Sequence, residues 1–212
     1  MSNYKTVFFT FGVLQIVLGL SMTIPIVVQF IFNELDSSFI GPSIICIIFG
    51  VLFFLSNFDH DKKLNLPQAF VLTGLSWVGI ALFGALPFMF SNLELSVTDS
   101  IFESMSGITT TGSTVITNLN EAPKAILLWR AILQWLGGIG IILMAITLMP
   151  IMNVGGMQLF KVSSNDTAEK ILPKSKQISI RLIIVYLFLT ISCAFFYKIF
   201  GMGFFDSLTH SM

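Results

Sequence analysis

The residue pattern with the clearest chemical potential is a run of hydroxyl side chains around one glycine. Residues 109–114 read Thr-Thr-Thr-Gly-Ser-Thr, so hydroxyl and backbone carbonyl oxygens are concentrated in one short stretch. Oxygens arranged in this way can replace the hydration shell of a cation. Gly112 would allow a carbonyl orientation that a side chain would obstruct. An ordinary Ser/Thr-rich external loop has the same composition, so composition alone leaves both interpretations open.

Other chemistry-bearing residues do not form a recognisable site. His60 and His210 have no second His or Cys at metal-ligand spacing, and Cys46 and Cys193 lie in apolar segments. The sequence has no nucleophile motif, no phosphate-binding Gly-Lys-Ser/Thr motif and no paired intramembrane carboxylates. We therefore predict no enzymatic activity, no cofactor and no metal site apart from one for a transported ion.

The composition is that of an integral membrane protein. Of 212 residues, 55% are hydrophobic and 10% are charged, whereas soluble domains carry roughly 25% charged residues. The formal net charge of zero argues against a nucleic-acid-binding protein, which needs a basic face. Stretches of about 20 apolar residues can cross the bilayer. We place spans near 7–32, 39–56, 69–91, 125–150 and 178–200.

The basic residues predict a cytoplasmic N-terminus, because positive charge is retained on the cytoplasmic side. With that orientation, the inside segments carry Lys5, Lys62, Lys63, Lys161, Lys170, Lys174, Lys176 and Arg181, and the outside carries only Lys124, Arg130 and Lys198.

The segment before the hydroxyl run predicts a helix over 98–108, capped by Ser96 or Thr98. About eleven residues give roughly 16 Å, which is half a bilayer. A re-entrant loop after such a helix is tolerated only where it lines a protected or water-filled path, which favours a selectivity filter. We expect Glu103 either to concentrate cations or, as we favour, to bond the filter backbone. Arg130 is expected to reach the outer interface.

The half-helix pattern occurs twice. Residues 98–105 and 205–212 share Asp, Ser, Ser and Met at matching positions, 107 residues apart. At that offset the third predicted span falls on the fifth, so the unit is a parallel repeat of span, half-helix, loop and span. Because one loop supplies too few oxygens for a filter, we expect the chain to be the N-terminal part of a longer polypeptide.

Several motifs resemble the bacterial TrkH/TrkG potassium-uptake family, within the Trk/Ktr/HKT superfamily. The resemblance lies in residues 102–114, 128–130, 134–140, 154–160 and 205–211, and it covers essentially the whole chain. It includes the family's additional pair of N-terminal helices.

The resemblance implies a K⁺ pathway built from four repeats in one subunit of a homodimer in the bacterial inner membrane. It also implies a cytoplasmic nucleotide-binding partner of the Trk type that gates the pore. The filter carbonyls would belong to Thr110, Thr111 and Gly112, flanked by Thr109 and Ser113. Passive flux and symport with H⁺ or Na⁺ both stay open.

The predicted fold is therefore an all-α integral membrane protein with a two-helix domain, one complete pore repeat and a truncated second repeat. The predicted boundaries are 1–63 for the N-terminal helices, 64–160 for the first repeat, 161–177 for a cytoplasmic linker and 178–212 for the start of the second repeat. Within the first repeat, the pore helix covers 98–108 and the filter 109–114. The alternative function is a non-transporting membrane scaffold or partner-binding module.

Overall fold

A computed structural model describes residues 4–34, 37–58, 64–152 and 167–212, and all regular secondary structure in these ranges is helical. The predicted all-α class is therefore confirmed. His60, the motif at 154–160 and residues 161–166 of the predicted linker lie outside the described residues. The helices are α1 Lys5–Ser21, α2 Thr23–Phe32, α3 Ile40–Ser56, α4 Leu66–Gly84, α5 Leu86–Met89, α6 Val97–Ile108, α7 Lys124–Met152, α8 Thr167–Ile199 and α9 Phe204–Ser211, with a 3₁₀ turn at Leu119–Glu121.

Two compact units divide the chain at Gly137. The first unit contains α1 to α6 and the N-terminal part of α7, and the second contains the rest of α7 with α8 and α9. The predicted half-helix and the hydroxyl run belong to the first unit.

Four helical segments are long and apolar enough to cross a membrane. They are Lys5–Phe32, Pro67–Met89, Lys124–Ala145 and Gln177–Ile199. These segments correspond to four of the five predicted spans. The remaining span, α3, is an apolar helix of 17 residues, which gives about 26 Å and is slightly shorter than the hydrocarbon layer.

Two of the spans are interrupted. The first breaks at Met22, between α1 and α2, and the third breaks at Ala85, between α4 and α5. Pro25 and Pro87 each lie shortly after the break, where a proline ring would clash with a preceding carbonyl and removes one N–H donor. The break at Ala85 frees the Gly84 carbonyl for a bond to another helix.

Close packing of α1 against α3 depends on glycines. A Cβ atom on Gly50 would lie 2.8 Å from the Gly12 carbonyl oxygen, and one on Gly12 would lie 2.7 Å from the Gly50 carbonyl oxygen. About two helical turns further along α1, the Gly19 carbonyl oxygen accepts a hydrogen bond from the Ser43 hydroxyl of α3 at 2.8 Å. Small residues and interhelical hydrogen bonds of this kind are the usual means of holding membrane helices together.

The second unit repeats the half-helix of the first. Helix α9 begins at Phe204 and α6 begins at Val97, so the two starts are separated by the same 107 residues as the sequence repeat. Helix α8 begins at Thr167, so the second half of the segment predicted as a linker is helical. Gly138 of α7 faces the Tyr186 hydroxyl of α8, whereas Gly140 has open space around it. Gly138 therefore allows a close contact between α7 and α8, and Gly140 does not take part in it.

We expect Gly50→Ala to lower the free energy of unfolding by about 1–3 kcal/mol, because the new methyl group overpacks the α1–α3 contact. Gly41→Ala is the matched control in the same helix, since a Cβ there meets no atom within 4 Å. That control should be neutral or slightly stabilising, because alanine favours helix over glycine. Thermal unfolding in detergent measures both variants, and equal midpoints would contradict the predicted packing.

Candidate ion-binding loop

The half-length helix α6 begins as predicted from its capping residue. The Ser96 hydroxyl oxygen accepts a hydrogen bond from the Asp99 backbone N–H at 3.1 Å and donates to the Asp99 carboxylate at 2.6 Å. The Asp99 charge lies in the first turn, where the helix dipole is positive. Ser96, rather than Thr98, is the N-cap, and twelve residues give α6 a length of about 18 Å.

The chain turns back sharply after α6. The backbone N–H groups of Thr111 and Gly112 both donate to the Ser106 carbonyl oxygen, at 3.0 and 3.3 Å. Thr110 donates its backbone N–H to the Gly107 carbonyl oxygen at 2.9 Å. These bonds satisfy carbonyl groups at the end of the helix, which otherwise lack partners. Residues 109–114 therefore start as a compact turn seated on the last turn of α6.

Two residues of the turn have left-handed backbone conformations. Gly112 has a φ of 75°, as expected for the one glycine in the run, and Thr110 has a φ of 58°. A β-branched residue in this region is a rare and strained case, and such strain clusters at functional sites. A Cβ on Gly112 would meet only the Gln134 side-chain oxygen at 3.9 Å. The constraint at Gly112 is therefore its backbone angle and not lack of space.

The loop presents oxygens that have no partner inside the described residues. Side chains of residues 110–114 are exposed, and no hydrogen bond from the described part of the chain reaches the carbonyl oxygens of Thr110, Thr111 or Gly112. The Thr109 hydroxyl donates to the Met105 carbonyl oxygen at 2.7 Å and lies 2.9 Å from the Thr111 hydroxyl. The five predicted site residues, Thr109 to Ser113, are thus consecutive in this turn. The carbonyl oxygens of Thr110, Thr111 and Gly112 are available to a ligand, whereas that of Ser113 accepts a hydrogen bond from the Ser106 hydroxyl at 2.6 Å.

The buried carboxylate of Glu103 holds the far end of this loop. Its Oε1 atom accepts hydrogen bonds from the Thr114 hydroxyl at 2.6 Å, from the Val115 backbone N–H and, more distantly, from Ile116 at 3.4 Å. The Glu103 side chain is 0% exposed. Glu103 therefore bonds backbone N–H groups at Val115 and Ile116, just after the predicted filter residues 109–114, and not within them. Its burial does not support a role at an open mouth.

Arg130 pairs with the second oxygen of the same carboxylate. Its Nε atom lies 2.9 Å from Glu103 Oε2, and the arginine side chain is 18% exposed. This pairing was not predicted, and the position of Arg130 relative to the outer membrane interface stays a prediction. A buried carboxylate needs a compensating charge, and at position 130 on α7 the arginine is adjacent to that carboxylate.

Close approaches between helices bring α6 against α4 and α7. A Cβ on Gly84 would lie 2.6 Å from the Ser104 hydroxyl, and a Cβ on Gly137 would overlap the carbonyl oxygen of Ile108. The buried indole of Trp129 donates its Nε1–H to the Gly84 carbonyl oxygen at 2.9 Å. Trp129 is therefore a buried packing residue, and the end of α6 is enclosed by small residues.

The N-terminus of α7 is capped by a carboxylate that is distant in the sequence. Glu34, which follows α2, accepts hydrogen bonds from the backbone N–H groups of Lys124 and Ala125, the latter at 3.2 Å. An acid at this position satisfies the free N–H groups of α7 and complements its dipole. This cap was not predicted, because a contact between residues 90 positions apart leaves no local pattern in the sequence.

The described residues contain no group of three or more His, Cys, Asp and Glu side chains placed to bind a metal. His210 contacts the Asp206 carbonyl oxygen through Nδ1 at 2.8 Å. The candidate ligands for an ion are the carbonyl oxygens of Thr110, Thr111 and Gly112, which accept no hydrogen bond from the described residues.

We expect Gly137→Ala to displace the end of α6 and to lower the free energy of unfolding by about 1–3 kcal/mol, because the methyl group overlaps the Ile108 carbonyl. Gly140→Ala lies one turn further along the same helix and meets no atom within 4 Å. Thermal unfolding in detergent should show a lower midpoint only for Gly137→Ala. A midpoint unchanged by both substitutions would contradict the contact.

Glu34→Ala should destabilise the protein by about 0.5–2 kcal/mol, because it leaves the first N–H groups of α7 without their carboxylate partner. Glu121→Ala removes a comparable, exposed acid near the same helix and is the control. The measurement is again the unfolding midpoint, and an effect of Glu121→Ala as large as that of Glu34→Ala would indicate general charge loss instead of capping.

Comparison with known proteins agrees with this geometry. The sequence profile of the TrkH family, described as cation transport protein, matches residues 36–206. The chain is 39% identical over 202 residues to the Trk system potassium uptake protein TrkI of Halomonas elongata, covering 95% of this chain and 41% of that protein. It is 35% identical to TrkH of Escherichia coli K12, covering 94% of this chain and 42% of the relative.

The fold is also that of a solved member of the family. The crystal structure of the potassium transporter TrkH from Vibrio parahaemolyticus superimposes with a TM-score of 0.85 and 32% sequence identity, covering 99% of this chain and 42% of that one. The chain thus spans less than half the length of these relatives. On this sequence match and this fold, the chain belongs to the TrkH family of cation transport proteins.

Proposed function

We propose that this chain forms the first part of a K⁺ pathway across the bacterial inner membrane. The carrying observation is the turn after α6, in which three consecutive carbonyl oxygens accept no hydrogen bond within the described residues. Potassium uptake is the activity printed in the names of its relatives TrkI and TrkH. The proposal needs no enzymatic step and no cofactor, because K⁺ is the cargo.

In this proposal the carbonyls of Thr110, Thr111 and Gly112 replace water around the ion, and Thr109 and Ser113 flank them. Support comes from the end of α6, since the carbonyl end of a helix dipole favours a cation beside it. The left-handed angles at Thr110 and Gly112 further support the proposal, because they alternate with ordinary residues and so vary the carbonyl direction along the turn.

A complete filter requires several such loops around one axis. Helix α9 is the start of a second half-helix at the same 107-residue spacing, and the relatives extend well beyond this chain. We therefore propose that further repeats complete the pathway, that the complete subunit is a homodimer, and that a cytoplasmic nucleotide-binding Trk subunit gates it. The N-terminus is proposed to be cytoplasmic, because the basic residues concentrate on that side.

Gly112→Asp should abolish K⁺ uptake while leaving the amount of protein in the membrane unchanged. The substitution adds a carboxylate beside the available carbonyl oxygens and places a residue with a side chain at a φ of 75°, where its backbone is strained. The test uses the complete polypeptide that carries this chain, produced in a bacterium that lacks its own K⁺ uptake systems. Rubidium uptake and growth at low K⁺ are the readouts.

Gly201→Asp is the matched control, since Gly201 also has a positive φ, 97°, and open space around it, but lies outside the turn. It should retain most of the uptake. Undiminished uptake by Gly112→Asp would contradict the role of this turn, and equal loss in both variants would indicate backbone strain rather than ion binding. Absence of uptake by the unaltered polypeptide would favour the alternative of a non-transporting scaffold.

A further inference from the structure

We propose that Glu103 is the positioning residue that sets the discrimination between K⁺ and Na⁺ in this loop, and that it acts through hydrogen-bond geometry and not through its charge. This inference rests on the proposed function, since it concerns the ion selectivity of the same turn. Glu103 itself does not contact the ion in this proposal, because its carboxylate is buried and its Oε1 atom is bonded to the chain after the turn.

Hydrogen bonds to Ser106 and Glu103 hold the two ends of the turn in place. On the helix side, the Ser106 carbonyl oxygen receives two N–H groups of the turn, and the Ser106 hydroxyl donates to the Ser113 carbonyl oxygen at 2.6 Å. On the far side, Glu103 Oε1 receives the Thr114 hydroxyl and the Val115 N–H. Both ends of the turn are therefore tied to one face of α6, and only the carbonyls between them are left for an ion.

The charge of Glu103 is a poor candidate for the source of selectivity. K⁺ and Na⁺ carry the same charge, so a nearby carboxylate attracts both equally, whereas the spacing of the oxygens around the ion differs in its fit to the two. Arg130 lies 2.9 Å from the other carboxylate oxygen and compensates the charge. A buried ion pair is also weak as a source of stability, because desolvation offsets much of the attraction.

Two variants separate the charge of Glu103 from its capacity to accept hydrogen bonds. In the double variant Glu103→Gln with Arg130→Gln, both charges are removed, but an amide oxygen can still accept hydrogen bonds from Thr114 and Val115, and the second amide can satisfy the first. In Glu103→Ala, made in the same Arg130→Gln background, both charges are also removed and the hydrogen-bond acceptor is lost as well, so the two variants differ only in that acceptor. A charge mechanism predicts the same defect in the two variants, and a geometric mechanism predicts a defect only in Glu103→Ala.

The experiment measures the ratio of K⁺ to Na⁺ uptake by the complete polypeptide in vesicles. We expect Glu103→Ala to lower the ratio by about tenfold or more, since a hydrogen-bonded charged acceptor is lost. The double amide variant should keep a ratio close to that of the unaltered protein. An unchanged ratio in Glu103→Ala, or an equal loss in the double amide variant, would overturn the inference.

A second pair of variants decides the question if Glu103→Ala does not reach the membrane. Thr114→Val removes the hydroxyl that donates to Glu103 Oε1 at 2.6 Å, whereas Thr117→Val changes an exposed threonine three residues further on. Thr114→Val should lower the K⁺ to Na⁺ ratio severalfold while total uptake persists, and Thr117→Val should not. Equal ratios for the two would overturn the inference. If the unaltered protein carries neither ion, the proposed function itself fails. Measurement of the absolute uptake distinguishes that outcome from a change in the K⁺ to Na⁺ ratio.

Discussion

The buried carboxylate of Glu103 is the interaction on which the candidate site depends. One oxygen accepts hydrogen bonds from the chain that leaves the turn, and the other faces the guanidinium of Arg130. A short helix, an exposed turn and a membrane helix thus meet at one acidic group. Because an uncompensated charge at this depth is costly, each of these contacts depends on the presence of the others.

Small residues make this meeting possible. Gly84 and Gly137 let α4 and α7 approach α6 so closely that a methyl group at either position would collide with it, and the Trp129 indole bonds the carbonyl exposed at the α4–α5 break. Without a hydrophobic driving force between helices in lipid, such close contacts and interhelical hydrogen bonds hold the arrangement. The absence of side chains at Gly84 and Gly137 therefore allows α6, and with it the turn, to take this position.

Much of this architecture is predictable from local pattern. Apolar runs indicated the spans, the Ser96 cap and the short length of α6 indicated a half-helix, and the 107-residue repeat predicted a second one, which α9 matches. Contacts between distant residues were not predictable. The pairing of Arg130 with Glu103 was not predicted, because an arginine near a predicted span end has two places to satisfy its charge. Only the packing of α6 selects between them. The left-handed angle of Thr110 was missed because threonine gives no conformational signal of the kind that glycine gives.

The capping of α7 by Glu34 has a consequence for how the molecule can be divided. The acid follows the N-terminal helices, yet its hydrogen bonds end on the helix that carries Arg130 and Trp129. The segment that follows α2 therefore supplies the carboxylate that caps α7. A shorter version that starts at α4 would need a substitute anion ahead of Lys124 to keep the first turn of α7 helical.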